Sequence, residues 1–244
     1  MITQWVLSLS SVPAHPLYSD SAYRLYAFLL EQLPNEDADW LHGIGSGTVS
    51  QYLRFSKEDP CCKWTVNLLS DETGSLLSPI LEKLPEVQIE NHHIPITERT
   101  SFAITSEEII TKGRRLTQSR TSLRFLTPTA FKQSGRYTIF PQEKLILQSL
   151  FARCNEVFPE YPLNDEDAFQ ALFSGIHITD YKLKTSRFLL KGVKIPGFLG
   201  SCTLDAKLPL PLLELWNTLL LFSNYAGIGI KTGLGMGGAE SEMI

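Results

Sequence analysis

The residues best suited to chemistry lie in two glycine-bearing stretches far apart in the chain. The first is Leu41-His-Gly-Ile-Gly-Ser-Gly-Thr-Val-Ser50. An imidazole titrates near neutrality and can move a proton in either direction, so His42 is a candidate general acid or base. The glycines around it let a ligand come close, and Ser46, Thr48 and Ser50 offer hydrogen bonds to a phosphate. The other histidines are His15, His92, His93 and His177, and no two of the five stand at H-x-x-x-H spacing. No acidic cluster joins them in a metal motif, so a metal-free mechanism is expected and no metal or cofactor is assigned. The sequence shows no G-x-S-x-G elbow, no Ser-His-Asp pattern and no catalytic-cysteine signature.

The second stretch, Gly-Ile-Gly-Ile-Lys-Thr-Gly-Leu-Gly-Met-Gly-Gly, fills positions 227–238 and holds six of the sixteen glycines: Gly227, Gly229, Gly233, Gly235, Gly237 and Gly238. Such a density suits backbone that passes close to another backbone or cradles a polyanion with its N–H groups. A Walker A loop is excluded, because Ile230 precedes Lys231-Thr232 where glycine is needed, and only six residues follow Gly238. Gly233–Gly238 satisfies G-x-G-x-x-G literally, but no βαβ unit follows it, so a dinucleotide fold is excluded as well.

Charge is distributed unevenly. The net charge is −4, which excludes a globally basic nucleic-acid binder. Yet residues 112–136 carry Lys112, Arg114, Arg115, Arg120, Arg124, Lys132 and Arg136 with no acid, and residues 181–203 carry Lys182, Lys184, Arg187, Lys191 and Lys194 with no acid. Two basic surfaces on an otherwise acidic body suit the tracking of a phosphate backbone. Phe125, Phe131, Tyr137, Tyr181 and Phe188 are interleaved and are candidates to stack on unpaired bases.

These residues need positioning by a core, and 244 residues with 43% hydrophobic positions suffice for one large domain or two small ones. Residues 2–9 alternate as a strand, and Asp20–Leu33 has helical spacing, capped by Ser19 or Asp20. An acidic loop follows Pro34. Gln51–Phe55 and Lys63–Leu69 read as strands joined through Asp59-Pro60, Ser75–Leu84 as a helix, and Glu86–Glu90 and Ser101–Ile110 as strands. After about residue 115 the pattern recurs: strands over Thr121–Phe125 and Arg136–Phe140, helices over Gln142–Phe158 and Asn164–Phe173, a long hairpin over Ile176–Lys191 and Gly197–Leu208, and a buried helix over Leu210–Phe222. Each half reads β-α-β-β-α-β, so the expected class is α+β, with two tandem ferredoxin-like (RRM-like) domains over 1–115 and 116–244 and a C-terminal glycine-rich loop. Cys61, Cys62, Cys154 and Cys202 have no C-x-x-C spacing, which argues against a zinc site or a disulfide framework. The most apolar stretch, Leu208–Phe222, is interrupted by Pro209, Pro211, Glu214 and Asn217. A soluble, cytoplasmic protein that does not span a membrane is expected.

The tail Tyr225-Ala-Gly-Ile-Gly-Ile-Lys-Thr-Gly-Leu-Gly-Met-Gly-Gly238 resembles the C-terminal glycine-rich loop of the CRISPR repeat-processing endoribonucleases of the RAMP superfamily. Leu126-Thr-Pro-Thr-Ala-Phe-Lys132 followed by Gly135-Arg136 looks like that family's entry to its second domain, and Gly197-Phe-Leu-Gly200 like the turn ahead of its last helix. His42 resembles its usual catalytic histidine. The resemblance covers most of the chain and implies two ferredoxin-like domains. It implies sequence-specific, metal-independent cutting of CRISPR precursor RNA within each repeat, in which the ribose 2′-OH attacks the adjacent phosphate to leave a 2′,3′-cyclic phosphate and a 5′-OH. It further implies a helper tyrosine on the first helix, Tyr26 or Tyr23, and a glycine loop that holds RNA or braces the domains, with Lys231 contacting phosphate. The implied partner is CRISPR repeat RNA, with a CRISPR effector complex as a further one, for a monomer or homodimer. A catalytically inactive RAMP subunit that holds guide RNA in such a complex is the alternative, and it does not need His42.

Overall fold

The computed structural model describes residues 1–10, 16–43, 46–56 and 61–244. His15 and the Asp59-Pro60 turn lie outside the described residues, as do the side chains of His42 and Ser46.

The first sheet uses β1 (Ile2–Leu9), β2 (Val49–Arg54), β3 (Cys62–Leu68), β4 (Glu86–Ile89) and β5 (His92–Ile104), in the order β2-β3-β1-β5-β4 with every pairing antiparallel. With α1 (Ser21–Glu31) between β1 and β2, and α3 (Asp71–Lys83) between β3 and β4, this is the split βαβ arrangement of a ferredoxin-like domain extended by one hairpin. Leu7, Leu25, Leu29, Trp64, Leu77 and Leu81 form its core.

The second sheet uses β6 (Arg120–Thr129), β9 (Ile176–Leu190), β10 (Val193–Ala206) and β11 (Ala239–Met243), in the order β11-β6-β10-β9. Between β6 and β9 come the small hairpin β7 (Phe131–Gln133) and β8 (Arg136–Thr138), then α5 (Glu143–Val157) and α6 (Glu166–Gly175). The last helix, α7 (Leu210–Ala226), covers the inner face of this sheet, where Leu123, Phe125, Cys202 and Leu204 meet Trp216, Leu220 and Phe222. Counted within each half and with β4 left out, both sheets place the second, third, first and fourth strands side by side in that order, which bears out two tandem ferredoxin-like domains.

Several elements differ from the sequence expectation. The acidic loop after Pro34 is a helix, α2 (Asn35–Gly43), with Glu36 and Asp37 in its first turn, where carboxylates oppose the helix dipole favourably. The strand expected over Ser101–Ile110 ends at Ile104 and gives way to α4 (Ser106–Arg114). Thr105 and Glu108 close a capping box there, each side chain accepting from the other's backbone N–H at 3.1 and 2.9 Å. Gly197–Gly200 is no turn but part of β10. A bulge between Phe198 and Gly200 breaks the pairing with β6, and Gly200 has φ +127°. The polar tail after Gly238 supplies an edge strand, β11, paired to β6 from Ala239↔Phe125 to Met243↔Thr121. Asp20 precedes α1 without a side-chain cap.

Candidate active site

The glycine stretch forms the seam between the two sheets. Gly227, Gly229, Gly235 and Gly237 all have positive φ, between +67° and +106°. A Cβ on Gly227 would stand 2.7 Å from the Gly237 carbonyl oxygen, one on Gly229 2.5 Å from that of Ala130, and one on Gly237 would collide with that of Ile228. Most of the loop amides are spent within the fold: Gly229 N–H donates to Ser149 Oγ (2.8 Å), Ile230 to the Ala130 carbonyl (3.0 Å), Gly237 to that of Pro128 (3.1 Å) and Gly238 to Thr127 Oγ1 (2.9 Å). These glycines therefore let two strands of backbone cross at contact distance.

The seam is locked onto the first domain by a buried amide. Gln51, 1% exposed, donates from Nε2 to the carbonyls of Ala22 (3.0 Å) and Gly233 (3.3 Å), while its Oε1 accepts from Trp64 Nε1 at 2.8 Å. Every polar atom of that side chain is thus used, which a buried amide requires. Gly235 lies against Ala22, where a Cβ would come within 2.5 Å of the alanine methyl. Ser50 adds a bond to the Tyr225 carbonyl and is itself held by Asn67 Nδ2 at 3.0 Å. The interdomain core is completed by Ala130, Phe188, Leu190, Ile195 and Met236.

Ala22 and Tyr26 are one helical turn apart, so docking the loop at Ala22 sets Lys231 across from Tyr26. Between them lies a cavity of about 750 Å³, walled by Tyr26 and Tyr23 of α1, Asp39 of α2, Lys191 of the β9–β10 turn, and Lys231. His42 belongs to the last turn of α2, the helix that forms this wall, rather than to a loop. Burial pushes the Tyr26 hydroxyl up to about 12, so it stays a neutral donor at physiological pH. Both lysines have backbones in the left-handed region, at φ +48° for Lys191 and +58° for Lys231. For Lys191 the cause is the two-residue turn Lys191-Gly192 (φ +48° and +80°), which must have positive φ at both positions to follow the strand twist. Its Nζ lies 5.7 Å from the centroid of the Tyr23 ring, within cation–π range. The arrangement offers a proton donor and two ammonium groups to an anionic group, with the carboxylates of Glu31 and Asp39 in the same lining. Among the described residues no group of three or more His, Cys, Asp or Glu side chains could hold a metal ion.

The basic residues expected to touch RNA fall into separate places. Arg120, Arg124 and Lys184 occupy the open face of the second sheet. There the cross-strand row Glu240–Arg124–Ser201–Lys182 runs over four strands. Arg124 Nη1 is 3.2 Å from Glu240, which also takes Arg54 of β2 at 3.4 Å, and Arg120 Nε is 3.5 Å from Asp205. Arg187 differs from Lys184 by an odd number of residues on one continuous strand and so points to the other face. Lys132 and Arg136 are exposed on the β7–β8 hairpin, and Arg114 and Arg115 end α4, which packs on α7 through Gly113 and Thr218. Of the candidate aromatics, Phe125, Phe131 and Phe188 are core, whereas Tyr137 and Tyr181 are exposed, Tyr181 edge-on to Phe140 at 5.4 Å. Sequence reasoning counted Lys191 only as part of a basic run. The Lys-Gly pair in the middle of a long alternating hairpin was the signal that it turns there.

Comparison with known proteins agrees with this architecture. A family model described as CRISPR-associated endoribonuclease Cas6 matches residues 123–239. The CRISPR-associated endoribonuclease Cas6 of Streptococcus thermophilus is 31% identical over 230 residues, covering 93% of each chain. That of Mycobacterium tuberculosis is 24% identical over 219 residues, covering 87% of this chain and 69% of the other. Among solved structures, a Thermus thermophilus Cas6 superposes with a TM-score of 0.76 at 24% identity over 99% of this chain and 98% of its own, and a Cas6-related protein from Pyrococcus furiosus with 0.62 at 16%, over 100% and 98%. The structures speak for the shared fold; the Streptococcus sequence, alike along nearly its whole length, places this chain in the family of CRISPR-associated endoribonucleases called Cas6.

Proposed function

We propose that the protein cuts CRISPR precursor RNA within its repeats, without a metal ion, by attack of a ribose 2′-OH on the adjacent phosphate. The observation that carries this reading is the junction cavity, where Tyr26, Lys191 and Lys231 converge against the helix that bears His42. In the step itself the 2′-oxygen loses its proton and bonds to phosphorus, the bond from phosphorus to the 5′-oxygen breaks, and that oxygen gains a proton. The products are a 2′,3′-cyclic phosphate and a 5′-OH. His42 is the group assigned to the proton transfer, worth about 10²–10⁴-fold in rate when positioned. The pentavalent phosphorus gathers negative charge on its equatorial oxygens; Lys231 and Lys191 are the cations that offset it, and the Tyr26 hydroxyl donates to it. Arg120, Arg124, Lys182 and Lys184 are the proposed track for the rest of the RNA along the open sheet face.

The test uses the purified protein and its host's repeat RNA in EDTA, beside a copy with a 2′-deoxy nucleotide at the cut site. A single cut that is lost with the deoxy substrate is expected. His42→Ala is expected to abolish cutting while repeat affinity stays within a few-fold. Full-rate cutting by that variant overturns the assignment of His42, and tight binding by the wild-type protein without cutting favours an RNA-holding subunit.

A further inference from the structure

A second cavity, of about 440 Å³, adjoins the first, and Tyr23 and Lys191 line both. Its walls come from the residues leading into α1, from the turn between β4 and β5, and from the tip of the β9–β10 hairpin. The lining is apolar in part. Tyr18, 63% exposed, Leu189, 42% exposed, and the buried Ile94 all belong to it. Two carboxylates, Asp20 and Glu90, face the same space, and Arg24 Nη1 holds Glu90 Oε1 at 2.7 Å. The ion pair leaves the second Glu90 oxygen to accept from a ligand.

Asp20 and Glu90 offset Arg24 and Lys191 here, so the lining has no surplus of positive charge to hold a phosphate. A large aliphatic group would strip water from these charged groups without return. A planar, uncharged ligand that carries N–H donors fits both parts of the lining, since an aromatic wall takes its face and a carboxylate takes its edge. Unpaired RNA bases are recognised in this way, splayed from their strand onto an aromatic side chain and hydrogen-bonded along one edge. The wall shared with the catalytic cavity supplies the connection, because a strand whose phosphate lies between Lys191 and Lys231 carries its neighbouring nucleotide past Tyr23.

We infer that this second cavity receives one unpaired base of the substrate strand, next to the scissile phosphate, and selects a base with an amino group on its edge. This rests on the ribonuclease reading above and adds to it a determinant of which repeat is cut. Tyr18 supplies the stacking face and Glu90 the acceptor.

The experiment is a cycle in binding, with repeat RNA made uncleavable by a 2′-deoxy at the cut site. Single abasic substitutions are placed at each of the two nucleotides on either side of the cut. At one of these positions, loss of the base is expected to weaken binding to the wild-type protein about tenfold, the scale of one base–aromatic stack. Tyr18→Ala, which removes an exposed ring and no core contact, is expected to weaken the intact RNA by the same factor and the matching abasic RNA no further. Glu90→Gln is expected to narrow the preference for amino-bearing bases over uracil at that position alone. Independent effects of Tyr18→Ala and base removal at all four positions, or no effect of Tyr18→Ala, overturn the inference. Coupling in binding by a protein that fails to cut all-ribose repeat RNA would sink the nuclease reading and leave the base site standing; cutting without coupling would sink the base site alone.

Discussion

At the scale of single residues, Tyr26 is the clearest case of a side chain whose surroundings set its role. Desolvation holds its hydroxyl protonated up to about 12, so in the proposed reaction its part is that of a donor and not of a base. Tyr26→Phe is expected to lower kcat by about a hundredfold, the usual order for one donor to a developing oxyanion, with KM little changed, as read in single-turnover and steady-state cleavage. The same shift bears on stability. The unfolded chain gives up this proton near pH 10 and the folded one near 12, so the contribution to stability falls as pH rises across that interval. Burial likewise raises the Cys62 and Cys202 thiols to about 12 and Cys154 to about 11. A thiol reagent at pH 8 is therefore expected to reach those three only on denaturation, whereas Cys61, half-buried, reacts in the native protein. His42 stands out in the sequence by its residue type and its glycine company. The helix beneath it was not, because Asn35–Gly43 offers the core little beyond Ala38 and Leu41, and so short an apolar stripe does not stand out among carboxylates.

At the scale of elements, the glycine loop was conspicuous in the sequence, while its use was not. Density of glycine signals close approach, but the partner of that approach is a matter of tertiary structure, and here it is the protein's own backbone. Gly237→Ala forces φ +67° on a residue with a Cβ and drives it into the Ile228 carbonyl. A loss of about 2–5 kcal/mol is expected, a fall in melting temperature on the order of 10 °C in calorimetry. Gly135→Ala, at φ +79° with open space around it, is expected to cost only the backbone strain of about 1–2 kcal/mol. Equal losses at the two sites would contradict the packing account. The strand β11 escaped sequence reasoning for a related reason: Ala-Glu-Ser-Glu-Met has little strand preference of its own, and its conformation is imposed by the free edge of β6. The capping box at Thr105–Glu108 was readable and marks where a strand reading should have stopped.

At the scale of the whole molecule, the repeat of β-α-β-β-α-β was visible from periodicity alone, since both halves carry strong alternation and strong helical stripes. The charge segregation was visible too, but linear runs do not predict faces: residues 112–136 spread over a helix end, a sheet face and a hairpin. On the open face of the second sheet Arg124 is already paired with Glu240, whereas the exposed Lys182 and Lys184 stand across from Ser201 and Leu199. Replacing both with glutamine is expected to reduce the slope of log K against log salt for repeat RNA by about 1.4, two phosphates at roughly 0.7 each. An unchanged slope places the RNA on another surface. The seam has one more effect, on biosynthesis. A ribosome delivers α2, with His42, long before it delivers Lys231 and the loop that docks on Ala22 and Gln51, and amino-terminal domains fold first. A nascent chain can thus present a folded first half while half of its cleft is still being translated. Nuclease activity should switch on late, only after the loop has closed over α1, and protein stalled short of Gly238 should accumulate as a harmless fragment.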